Sequence, residues 1–182
     1  MTKTVEANTR NRAAGWSGEA SVHGRVAPDE PTARIDHYVR DSKAVVLHHR
    51  HLPGNGSEIS HLIVGPCGVT VVDSRTYEAP SAKLERSPLR GSARRRSDLV
   101  KPVLAQVDAV RDLLADTPFA DVPIEAALAR RKVVGARVLQ GLNAPRVIVC
   151  GARTIAGEAS REGPVTARHV KVLAAYLDNV LG

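Results

Sequence analysis

The sequence predicts an α/β fold, a mixed central sheet with flanking helices. Three observations predict it. Aromatics make up 3% of 182 residues while 43% are hydrophobic, so the core rests on Val, Leu, Ile and Ala, side chains that suit strands packed under helices. The middle of the chain alternates apolar and polar residues between dense turn formers. Two later segments change to a period of 3.6. The length suits one domain with a substantial core.

The elements follow in order. Residues 1–28 are polar and Gly-interrupted, a partly disordered arm with a short helical piece expected around Ala13 to Val22. The globular domain is expected over 29–182. Pro31 suits the first turn of a helix reaching about Asp41, with Ala33, Ile35, Tyr38 and Val39 on its buried side. "KAVVLHH" (43–49) is a strand candidate, ended by the turn formers "LPGNGS".

"EISHLIVG" (58–65) and "GVTVVDSR" (68–75) both alternate, and the Gly65-Pro66-Cys67-Gly68 link is short enough to join them as a hairpin. Ser60 shares a strand face with Glu58, Leu62 and Val64; Asp73 shares one with Val69, Val71 and Arg75. An acid among valines needs a partner, a metal or water.

From Asp98, read as an N-cap, Val100, Val103, Leu104, Val107, Val110 and Leu114 form a helical stripe with Gln106 on its border. "RKVVGARVLQ" (131–140) and "RVIVC" (146–150) read as strands; the first is alternatively the extension of a short helix over Ile124 to Ala129. A last helix has Thr166 as its cap, Val170, Leu173, Ala174, Leu177 and Leu181 as its stripe, and Gly182 just past its end. The order is helix, three strands, helix, one or two strands, helix.

Composition narrows the function. No run approaches the ~18 apolar residues of a membrane span, and the N-terminus lacks the apolar stretch of a secretory signal, so the chain reads as cytoplasmic with no membrane partner. Cys67 and Cys150 have no C-x-x-C spacing and read as free thiols, Cys67 as a turn residue. His48, His49, His51 and His61 invite a metal reading, but no carboxylate or cysteine spacing supports zinc; solvated or hydrogen-bonded histidines are the expectation. The net charge is +7, and residues 83–101 hold seven basic and two acidic side chains. Such a cluster is either a solvated loop or a phosphate-binding surface.

Five stretches carry a resemblance: "AGWSGE" (14–19), "LHHRHLPG" (47–54), "ISHLIVGPCGVTVVDSRTY" (59–77), "SDLVKPVLAQVDAVRDLL" (97–114) and "GPVTARHVKVLAAYL" (163–177). Together and in this order they resemble the nuclease-related domain (NERD) family, from about Ala14 to the end. That family is similar to the PD-(D/E)XK nucleases, so the resemblance implies a restriction-endonuclease-like αβββαβ core. It also implies a Mg²⁺- or Mn²⁺-dependent nuclease (hydrolase) site built from a helix glutamate, a second-strand aspartate, an acidic-x-Lys on the third strand and a helix glutamine.

On that pattern Glu19, Asp73 and Gln106 match. Ser60 stands at the aspartate position and Arg75 at the lysine position. A serine supplies no anionic oxygen to a divalent cation. Arginine cannot act as a base at neutral pH, yet it holds phosphate well. The resemblance therefore implies a weakened metal site with Asp73 as ligand and Glu19 and Glu58 as further candidates. Glu58 is a candidate because it shares the strand face of Ser60.

Whether such a site cleaves stays open at this point. Nucleic acid, DNA or RNA, is the expected partner, contacted through Arg94, Arg95, Arg96 and Lys101. The alternative is a non-catalytic interaction module that binds nucleic acid or a protein through residues 83–101.

Overall fold

The computed structural model describes residues 30–54, 56–75, 93–131, 136–139 and 146–182. Its elements are α1 (Pro31–Val39), β1 (Val45–His51), β2 (Glu58–Gly65), β3 (Gly68–Asp73), α2 (Ala93–Leu114), β4 (Ile124–Ala129), β5 (Ala136–Leu139), β6 (Val147–Cys150), α3 (Ala152–Ala159) and α4 (Ala167–Val180). The first five run in the order α, β, β, β, α expected from periodicity, and the sixth is a strand at Ile124–Ala129, ahead of the strand expected over 131–140. The N-terminal arm and its short helix lie outside the described residues.

Six strands form one mixed sheet in the order β1-β2-β3-β4-β6-β5. β1, β2 and β3 are antiparallel neighbours, β3, β4 and β6 are parallel, and β5 returns antiparallel to β6. Gly65 faces Gly68 across a two-residue turn, so the hairpin is as tight as the sequence predicts. β2 and β3 are buried along almost their whole length because helices cover both faces of the sheet.

The two faces have separate cores. On one, Leu62, Val64, Val69, Val71, Ala126 and Leu128 pack against Val103, Val107, Val110 and Leu114 of α2 and Leu173 and Leu177 of α4. On the other, Val46, Ile63, Val72, Ala127 and Ile148 pack against Ile35 and Val39 of α1 and Ile155 and Ala156 of α3. Alternation along each strand assigns neighbouring residues to opposite cores. The Tyr176 hydroxyl donates to the Leu113 carbonyl at 3.1 Å, tying α4 to α2, and Arg50 of β1 holds Asp178 of α4. Thr166 caps α4 as expected, accepting from His169 N.

Four expectations are corrected. Ile124–Ala129 is a strand, not a short helix: its Ala, Glu and Leu favour helix locally, but burial between β3 and β6 decides the outcome. α2 begins at Ala93, so Asp98 is not its N-cap and Pro102 lies inside the helix, where it deprives the Asp98 carbonyl of an intrahelical donor. α1 ends at Val39 and leaves Tyr38 40% exposed rather than buried. α3 was not expected; its eight residues are too short and too rich in small side chains to give a strong periodic signal.

Candidate functional site

The paired register of the hairpin runs to His61 opposite Val72. One further step sets Ser60 opposite Asp73, the last residue of β3. Ser60 and Asp73 continue the alternation of Leu62 with Val64 and of Val69 with Val71, so they share the face covered by α2. Both are buried. The Ser74 amide donates to Ser60 Oγ at 3.4 Å, which closes this end of the hairpin.

Gln106 reaches the same corner from α2. It is buried, and its Nε2 donates to the Glu58 carbonyl at 2.7 Å. A carbonyl can only accept, so the Gln106 amide nitrogen must face it and Oε1 must face away. Oε1 is buried with no hydrogen-bond partner among the described residues. It is an acceptor waiting for a donor.

Asp73 is fully engaged. Its Oδ1 accepts from Arg75 N at 2.9 Å and from Arg75 Nε at 3.0 Å, and its Oδ2 accepts from Arg75 Nη2 at 2.5 Å. Burial pushes the Asp73 carboxyl up, but the Arg75 hydrogen bonds and the charges of Arg75 and Arg130 outweigh it and hold the group below the usual carboxylate range. Asp73 is therefore an anion with its charge already matched.

Arg130 was not foreseen. It directly follows β4, and the parallel register of Asp73 with Leu128 brings it to the same face and end of the sheet. The side chain is 4% exposed and its backbone amide donates to the Cys150 carbonyl at 3.0 Å. In sequence it is the first of three basic residues, "RRK", and looks like a solvated run. Only the strand register marks it as inward-facing.

The remaining candidates separate. Glu58 directs Oε1 to His49 Nδ1 at 2.5 Å, and both side chains are half-exposed or more. Lys101 is exposed and lies 3.5 Å from Asp98. Arg94, Arg95 and Arg96 occupy the first turn of α2, which contains no acidic residue. Residues 83–92 and Glu19 lie outside the described residues. Cys67 is a turn residue whose Sγ donates to the Glu158 carbonyl at 3.2 Å; burial pushes its thiol up, away from reactivity. His48 and His61 are hydrogen-bonded to one another.

The residues found do not fit a divalent cation. Both Asp73 oxygens belong to Arg75, Ser60 is neutral, and Glu58 turns to His49. Among the described residues no three His, Cys, Asp or Glu side chains are grouped to hold a metal. What remains at this corner is the Arg75–Asp73 ion pair, the neutral Ser60 and Gln106 side chains and the charge of Arg130. A groove of about 570 Å³, lined by Phe119, Val122, His169 and Val172 among others, lies at the opposite end of β3, beside the hairpin turn. Among the described residues no helix is long and apolar enough to cross a membrane.

No family model, no curated protein and no solved structure matches the chain.

Proposed function

We propose that the chain is a nuclease-related domain on the restriction-endonuclease-like αβββαβ plan that binds nucleic acid without cleaving it. The observation that carries this reading is the seating of the Arg75 guanidinium on both oxygens of Asp73. In a nuclease of this plan that carboxylate would face a cation. Here it faces a side chain of the same charge sign, held by the protein itself.

The wider geometry supports the same reading. Ser60, Asp73 and Gln106 meet at one end of one sheet face, as the resemblance implies for a nuclease frame. Arg130, which is buried, adds a second positive charge beside Asp73. The first turn of α2, the positive end of its dipole, carries three arginines and no acid. Phosphates are the anions that helix N-termini and arginines attract. Among the described residues no element for reading base edges accompanies this turn, so the binding proposed follows charge and not sequence.

The test is DNA and RNA binding across a salt series. Affinity is expected to fall steeply with salt and to vary little with sequence, and Arg94→Ala, Arg95→Ala and Arg96→Ala together are expected to reduce the log–log slope by up to ~3. An unaltered slope would remove these arginines from the interface. Mg²⁺-dependent cleavage by the wild-type protein would overturn the reading.

A further inference from the structure

On the sheet face away from Asp73, four side chains form one hydrogen-bonded chain. Asp36 Oδ1 of α1 lies 2.8 Å from His48 Nε2, His48 Nδ1 lies 2.8 Å from His61 Nδ1, and His61 Nε2 lies 2.9 Å from Ser74 Oγ. The register sets this order. His48 and His61 are direct cross-strand partners, and Ser74 sits two residues beyond Val72, the partner of His61.

The position of each proton follows from its neighbours. A carboxylate only accepts, so His48 carries its proton on Nε2. In the neutral ring Nδ1 is then an acceptor, and His61 must donate to it from its own Nδ1. His61 is 1% exposed; burial first, then the neighbouring His48 and His49, lower its pKa to about 3, so the ring is neutral and Nε2 accepts. The Ser74 hydroxyl is the donor to that nitrogen. With His48 neutral, this assignment satisfies all three contacts and aims the Ser74 proton into an imidazole.

We infer that Ser74 is a nucleophile toward small neutral carboxylic esters, with His61 as its general base and His48 and Asp36 as positioning residues. A buried imidazole alone is too weak a base for this task. The second imidazole removes the difficulty, because His61 passes a proton on without keeping one. In acyl transfer the Ser74 Oγ–carbonyl carbon bond forms and the ester C–O bond breaks, releasing the alkoxide or phenolate. The hydroxyl proton moves to His61 Nε2 while the His61 Nδ1 proton moves to His48 Nδ1. The positive charge comes to rest on His48 against the Asp36 carboxylate, and His61 stays neutral. Ile35, Ile63 and Val72 fill the core on this face, and the His61 ring is buried with them. The inference does not depend on the nucleic-acid reading.

The experiment treats the full chain with p-nitrophenyl acetate, follows phenolate release and locates the acetyl group by peptide mass spectrometry. Acetylation of Ser74 is expected in the wild type and not in Ser74→Ala. The rate is expected to fall on the order of 10²-fold in His61→Asn and at least about tenfold in Asp36→Asn, with partial recovery in Asp36→Glu. Asp36 is partly exposed, so this pair stays informative if His61→Asn does not fold. Nitrogen NMR of the imidazoles is expected to find N–H at His61 Nδ1 and His48 Nε2. No acetyl on Ser74, an unchanged rate in Asp36→Asn, or the opposite tautomers would each overturn the inference and reduce the chain to a packing network.

Discussion

Gln106 of α2 and Glu58 at the start of β2 are joined by a 2.7 Å hydrogen bond from side-chain amide to main-chain carbonyl. It is the polar link between the helix and the open end of the hairpin, and it fixes how deeply Gln106 enters the corner where Ser60 and Asp73 meet. Gln106→Ala removes this bond and opens a small cavity. It is expected to destabilise the protein by about 1–2 kcal/mol in urea denaturation, with an unchanged m-value.

Ser60→Asp with Arg75→Lys is expected to create a divalent site from residues that do not fit one in the wild type. The first change sets a carboxylate opposite Asp73; the second removes the planar fork that occupies it. Two facing carboxylates repel, so the double variant should melt below the wild type without metal and rise with added Mn²⁺. Calorimetry should find Mn²⁺ binding in the double variant alone, lost again on adding Asp73→Ala. Equal Mn²⁺ binding by the wild type would contradict the fit argument.

Stability is expected to fall in acid, and the sign follows from two groups. His61 has its pKa lowered to about 3 in the folded chain from an ordinary 6.5. Between those values the unfolded chain takes up a proton that the folded chain refuses, so stability drops by about 1.4 kcal/mol per pH unit as pH falls below 6.5. Asp73 acts in the same direction: its carboxyl is held below the usual range, so its contribution is present above the ordinary carboxylate value and lost as pH falls through the folded one. His61→Asn should flatten the dependence between pH 6 and pH 4 by roughly one proton equivalent. Denaturation curves collected across that interval measure it.

Two glycine substitutions are expected to have opposite signs. A Cβ at Gly163 would stand 2.5 Å from Cys67 Cα and 2.5 Å from the Pro66 carbonyl oxygen, both backbone atoms that cannot swing aside. Gly163→Ala should cost about 1–3 kcal/mol. Gly157 lies inside α3 with nothing near its missing Cβ, and Gly157→Ala should gain about 0.5–1 kcal/mol. Thermal melts of the two variants decide the matter.

The hairpin was legible in the sequence because its signal is local: two alternating runs and a short link fix both strands and the face of every residue. The same alternation put Ser60 and Asp73 on their shared face, and the border position of Gln106 on a helical stripe indicated that it looks inward. Ile124–Ala129 was not legible, since its strand state comes from the neighbours β3 and β6 and not from its own residues. Arg130 was hidden for the same reason. His48 and His61 stood in plain view, but the pairing register that makes them partners is a property of the assembled sheet, and Asp36 joins them only through the docking of α1.

The turn at Pro66 and Cys67 is gripped by residues that follow about half a chain later. The Cys67 thiol donates to the Glu158 carbonyl, the Val165 amide donates to the Pro66 carbonyl, and Gly65 leaves room for the Ala159 carbonyl. During synthesis the β2–β3 pair can close within moments of emerging, yet its tip has nothing to dock on until α3 and the start of α4 have left the ribosome. Until then β3 lacks its parallel neighbour β4 for a time, and the valines of the hairpin stay open to water and to other nascent chains. The C-terminal third thus acts as a latch on an early-formed piece, and the interval before it arrives is when this chain is most exposed to misassembly.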